Sequence, residues 1–175
     1  MLPHEHFITA FVPVVAYFAI RYRQLPSAGV VFVVFVGSQF PDLVDKPLTL
    51  ANLIPWGRVF MHSLPFALPI ATIVLLYAVA TDQQHLGGGF VFAYLLHIPG
   101  DWYGRLLSGE IPPDLLWPIM SIPAHPHAPG WGGPGDVYAY VWSLYSIVLL
   151  ALAFSLLTAD ISYQLADEKE PTARL

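Results

Sequence analysis

The chain has 175 residues, 56% of them hydrophobic and only 11% charged, whereas a soluble domain carries about a quarter charged residues; this deficit of polar surface excludes an ordinary soluble enzyme. A formal charge of −5 provides no basic footprint for nucleic acid. The absence of cysteine excludes disulfides and thiolate metal sites, so any metal must be held by His, Asp or Glu.

The pattern predicts an all-α, polytopic membrane bundle of about five helices, forming one domain over residues 1–160 with a polar tail over 161–175. The first apolar run, 7–20, is preceded by His4, Glu5 and His6 and by no basic residue, which predicts a retained helix rather than a cleaved signal peptide. Arg21, Arg23 and Pro26 mark a tight turn into the second run, 28–40. The third run, 64–81, is apolar throughout, with Pro65 suited to a first turn and Pro69 expected to kink the helix. A fourth run covers 86–99. Residues 108–136 are rich in Pro and Gly and read as a long loop, in which His125 and His127 are expected to be solvated. The clearest span is 138–158, long enough to cross about 30 Å of hydrocarbon, and it leads to a tail whose acidic residues include Asp167, Glu168 and Glu170. Runs 7–20, 28–40 and 86–99 are shorter, and flanking polar residues that face a protein interior can extend them.

Ionisable groups are few, and they are not scattered. His4 and His6 precede the first run, Asp42 and Asp45 follow the second, Arg58 and His62 precede the third, and His97 and Asp101 close the fourth. If each run crosses once, all of these lie at one membrane face. The four-residue spacing of His97 and Asp101 puts them on one helical side, provided that the helix continues through Pro99, and Asp42 and Asp45, three apart, can share a direction from a turn after Pro41. Carboxylates beside imidazoles suit zinc, with manganese or magnesium next. Such an ion activates water near neutral pH. Arg58 is then a candidate clamp for an anionic oxygen, and Asp45 or Asp101 a candidate general base. Taken singly, a His or Asp at a helix end is more often a cap or interfacial anchor than a ligand; four such groups on one face shift the balance. Trp56, Trp102, Trp117 and Trp131 read as an aromatic belt at headgroup level, and His85, in the opposite turn, is given no role.

In order, the motifs are His6, GSQFPDLVD over 37–45, RVFMHS over 58–63, HIPGD over 97–101 and LWP over 116–118. This series resembles the membrane-bound metal-dependent hydrolases, described also as LexA-binding, inner-membrane-associated hydrolases, over most of the chain up to about Pro118. The resemblance implies His6, Asp42, Asp45, His62, His97 and Asp101 as metal-site residues. It extends distantly to zinc-dependent phospholipase C, which implies phosphoester hydrolysis. The chain departs from the family pattern in three places: Gly57 stands where the family has His, Met61 where it has Thr, and Pro99-Gly100 fills the HxxxD interior.

The expected function is a metal-dependent hydrolase of the inner membrane, with the bilayer as partner and a lipid or other phosphoester as substrate. The alternatives are a non-catalytic protein that binds or transports an ion and a structural scaffold. A count of four basic residues (Arg21, Arg23, Lys169, Arg174) against three (Lys46, Arg58, Arg105) favours an extracytoplasmic site and a cytoplasmic C-terminus.

Overall fold

The computed structural model describes residues 3–122 and 144–167, with the side chains of the last helix over 150–162. Five α-helices and no strand are found among the described residues: α1 Pro3–Tyr22, α2 Ala28–Leu50, α3 Leu64–Ala80, α4 Gln84–Leu107 and α5 Leu144–Asp167. A short 3-10 turn, Pro113–Leu116, lies in the stretch expected to be a loop. The sequence at 125, 127 and 131 lies outside the described residues, as does the first part of the span read at 138–158.

The helices are longer than the apolar runs that announce them. α1 begins at Pro3, so His4 and His6 are inside it. α2 passes through Pro41 and Pro47 to Leu50, and α4 passes through Pro99 to Leu107. Each internal proline removes one backbone hydrogen bond, a loss that the surrounding helix turns tolerate. The helices stop by a shared device, the left-handed residue after the last turn. Asn52 (φ 56°), Asp82 (φ 55°) and Gly109 (φ 79°) hold these positions after α2, α3 and α4. The following amides bond back, Leu53 N to Leu48 O at 2.9 Å, Gln83 N to Ala78 O at 2.8 Å and Glu110 N to Arg105 O at 3.0 Å. The start of α2 is capped from another helix, where Asp160 of α5 accepts from the Ala28 amide at 3.1 Å.

α2 and α4 form the most extensive helix pair, and α1, α3 and α5 pack around them. One apolar cluster joins Phe7, Phe11, Val14 and Phe18 of α1 to Val31 and Val34 of α2, with Ala93 and Ala153. A second joins Ala67 to Tyr94, Ile98, Trp102 and Leu115. Two glycines set the closest approaches. A methyl group at Gly37 would overlap the Phe90 carbonyl, and one at Gly87 would overlap the Ala78 side chain.

α3 is built inside out. Its buried residues are Ala67, Ala71 and Ala78, while Leu68, Ile73, Leu76, Tyr77 and Val79 point outward and are exposed. Small residues inside and large apolar ones outside are the packing of helices in lipid, where close backbone approach drives association. In water such a face would be an adhesive patch. Among the described residues, α2, at 23 residues, is the helix long and apolar enough to cross a bilayer. α3, in the run at 64–81, is 17 residues long, and the run at 138–158 lies only partly within the described residues. α2 reaches its length because it continues ten residues past Phe40.

Candidate metal centre

The antiparallel order of α1, α2 and α4 brings the start of the first, the end of the second and the end of the fourth to one end of the bundle. Segment 51–63, between α2 and α3, is drawn into that end. Its backbone is clasped from both sides: Asp45 of α2 accepts from the Met61 amide at 2.8 Å, and Tyr94 of α4 donates to the Met61 carbonyl at 2.9 Å. His62, next in the chain, is therefore delivered fully buried between the two central helices. Met61 contributes through its backbone, so the Thr of the family pattern is not required for this contact.

Four side chains converge there. Asp42, His62, His97 and Asp101 each offer one donor atom, and these atoms lie within 4.8 Å of one another. His62 Nε2 and His97 Nε2 are 3.1 Å apart. Asp42 Oδ1 is 3.5 Å from the first and 4.0 Å from the second, and Asp101 Oδ2 is 3.5 and 3.7 Å from them. A tetrahedral zinc with bonds of about 2.0–2.1 Å has donor atoms about 3.3 Å apart. The imidazole–imidazole and imidazole–carboxylate separations, 3.1–4.0 Å, are near that value, and the set as a whole, spread over no more than 4.8 Å, would close slightly around an ion.

Each donor is held from behind. His97 Nδ1 donates to the Ser38 carbonyl at 2.6 Å, and His62 Nδ1 donates to Asp45 Oδ2 at 2.8 Å. Both imidazoles thus turn Nε2 to the centre, the arrangement by which outer partners fix metal-binding histidines. Lys46, one turn on, takes Asp42 Oδ2 at 2.5 Å. The remaining Asp42 oxygen, Oδ1, is buried with no hydrogen-bond donor, and it is the oxygen that faces the two imidazoles. An orphaned buried acceptor of this kind requires a physical explanation, and a cation provides one. His6 donates to Asp101 Oδ1 at 3.0 Å and stacks on the His97 ring at 3.7 Å. Arg58 Nε reaches Asp101 Oδ2 at 2.9 Å. Burial opposes the charged form of His62, but the carboxylates of Asp101, Asp42 and Asp45 prevail and push its pKa up to about 10.

Of the residues singled out in the sequence, four meet at the centre. His6 is one contact away, on the far oxygen of Asp101. Asp45 is behind His62, fully buried and occupied by an imidazole and a backbone amide. Arg58 is at the mouth, its side chain 30% exposed, with its guanidinium 5.8 Å from the Trp102 ring; Arg105 approaches the same ring at 5.7 Å. Trp102 is therefore a buried packing residue rather than part of an aromatic belt. The continuous helix through Pro99 keeps His97 and Asp101 on one side of α4. Ser38, Lys46 and Tyr94 were not foreseen as partners. The four-residue spacing of Asp42 and Lys46 was a readable signal for one of them; a backbone carbonyl such as that of Ser38 has none.

Fold and site together define a helical membrane protein with a buried Asp/His centre at one end. The family described as YdjM inner membrane protein matches residues 1–168, and the chain belongs to that family. The description gives a location and no reaction. Comparison with curated proteins and with solved structures gives no match.

A consequence of the geometry concerns Asp45. Asp45→Asn replaces the acceptor for His62 Nδ1 with an amide that can present N–H, which favours the tautomer with its proton on Nε2. Zinc affinity is expected to fall by about 10–100-fold, the usual cost of losing an outer partner, as read by competition titration against a chromophoric chelator. Unchanged affinity would remove Asp45 from the account.

Proposed function

We propose that the chain is a membrane-bound hydrolase that uses a divalent metal, zinc before manganese or magnesium, to cleave a phosphoester, with a lipid-linked phosphate as the natural class of substrate. The supporting observation is the convergence of two Nε2 atoms and two carboxylates, each fixed from behind, around the donorless Oδ1 of Asp42. His62, His97, Asp42 and Asp101 are the residues that would hold the ion. Once bound there, it supplies Lewis-acid polarisation of a phosphoryl oxygen and activation of water. His6 orients Asp101 through Oδ1. Asp45 sets the tautomer of His62 and is occupied by an imidazole and a backbone amide, so the proton-accepting role falls to Asp101, the carboxylate that pairs with the partly exposed Arg58. Arg58, partly exposed there, binds the anionic oxygens of the substrate by charge-assisted hydrogen bonds.

The site is proposed to face the extracytoplasmic side. Lys46 and Arg58 both pair with carboxylates of the centre, which leaves Arg105 as the outlying basic residue at that end, against Arg21 and Arg23 at the other.

A second reading has its own observation. Lys46 on Asp42 and Arg58 on Asp101 already balance two carboxylates, as they would in a structural or ion-binding cluster without chemistry. Activity separates the two. The purified chain is expected to hydrolyse an aryl phosphodiester or a phospholipid, to lose that activity on chelation and regain it with zinc, and to lose about 10²–10⁴-fold in Asp101→Asn, the range for a general acid–base group. Activity that survives chelation would reject the hydrolase.

A further inference from the structure

At the end of the bundle opposite the metal centre, a groove of about 500 Å³ opens between α1, α2 and α4, within the range of small-molecule sites. Its walls are apolar: Val14, Phe18, Val30 and Phe92 line it, and Gly88 and Gly89 leave its α4 side bare. A side chain grown from Gly88 would meet nothing within 4 Å. One end of the groove is polar. There Tyr17 Oη and Tyr22 Oη are 3.4 Å apart, and Tyr22 Oη is 3.0 Å from His85 Nε2. Arg21 lies over the Tyr22 ring, its guanidinium 5.5 Å from the centroid, and Arg23 follows at the end of α1. Asp82 is the acidic group of the adjoining α3–α4 turn, and Asp160 holds the Ala28 amide. Exposed tyrosines beside arginines mark a headgroup level, from which the apolar walls lead away along the helices.

This polarity gradient matches one kind of molecule that surrounds a protein of the inner membrane. The geometry points to a binding site for an anionic phospholipid, with an acyl chain along Gly88 and Gly89 and the phosphate against Arg21, Tyr22 and His85. The site is separate from the metal centre and holds whether or not that centre is catalytic. His85 thereby gains a role, as the imidazole that holds the Tyr22 hydroxyl toward the headgroup.

The test is native mass spectrometry of the full chain in detergent, titrated with phosphatidylglycerol or with phosphatidylcholine of the same acyl composition. Wild type is expected to retain one phosphatidylglycerol, with a preference over phosphatidylcholine of about fivefold, the worth of one arginine at a membrane surface. Gly88→Leu fills the groove at a position open to a side chain and is expected to lose the bound lipid while keeping wild-type helix content and monodisperse elution. Arg21→Gln, at an exposed position, is expected to bring the two lipids to parity. Equal binding of both lipids by wild type, no retained lipid, unaltered binding by a folded Gly88→Leu, or an undiminished preference in Arg21→Gln would each overturn the site.

Discussion

His97→Ala is expected to lower zinc affinity by about 10²-fold or more. Four-ligand zinc sites in small domains bind with about 10–16 kcal/mol, so one ligand in four is worth roughly 3 kcal/mol, or somewhat over two decades in the dissociation constant. The loss at this position is compounded. The Ser38 carbonyl loses its donor, and His6 loses the ring on which it stacks, so Asp101 is less firmly aimed. Tyr94→Phe is the matched control, because Tyr94 is equally buried and its hydroxyl bonds the Met61 carbonyl rather than the centre. That change removes one of the two clasps on segment 51–63 and costs about 1 kcal/mol of stability, while Asp45 still holds the Met61 amide and the His62 ring, so zinc affinity stays within a few-fold of wild type. Equal losses in the two variants would mean that His97 acts only through packing.

Gly37→Ala is expected to be the most disruptive small change in the chain. The added methyl overlaps the carbonyl oxygen of Phe90, a backbone atom of α4 that cannot swing aside. Overpacking typically costs about 1–3 kcal/mol, and a backbone collision falls at the upper end. At this chain length that lowers the midpoint of thermal unfolding by about 5–10 °C. Ser38 is the next residue, so parting α2 from α4 also lengthens the His97 contact, and zinc affinity falls together with stability. Gly88→Ala, at a position of α4 where an added methyl meets nothing within 4 Å, is expected to be neutral or stabilising by up to about 1 kcal/mol. A Gly37→Ala protein as stable as Gly88→Ala would contradict the tight crossing.

The site was legible in the sequence because ionisable residues are rare in this chain and counting crossings places them together. Asp42, His62, His97 and Asp101 could be picked out by residue type and position. Their division of labour could not. Asp42 and Asp45 are three apart on one helix, yet one faces the centre and the other stands behind His62, a distinction fixed by where segment 51–63 threads between α2 and α4. The contact of Ser38 with His97 spans 59 residues and uses a backbone carbonyl, which leaves no trace in composition. Helix ends were the least legible feature. Proline usually marks a boundary in soluble helices, but α2 continues for more than two turns past Pro41, running through Pro47 as well, and α4 for about two turns past Pro99. Asn52 and Asp82 terminate helices where glycine is the ordinary signal. The outward leucines of α3 were visible as an apolar run, but the inward alanines that make it a packed membrane helix became evident only with α4 beside them.

The balance of charge at the centre makes the central claim testable without a substrate. Lys46 on Asp42 and Arg58 on Asp101 pair with the carboxylates in the absence of a metal, so a folded chain does not by itself prove that the site is filled. Metal content of the detergent-purified protein, measured by inductively coupled plasma mass spectrometry after incubation with zinc or manganese and removal of the excess, addresses the question directly. About one ion per chain is the result the account predicts. No bound metal in wild type under any of these conditions would contradict it and leave the cluster as a hydrogen-bonded brace between α2, α4 and the segment that carries His62.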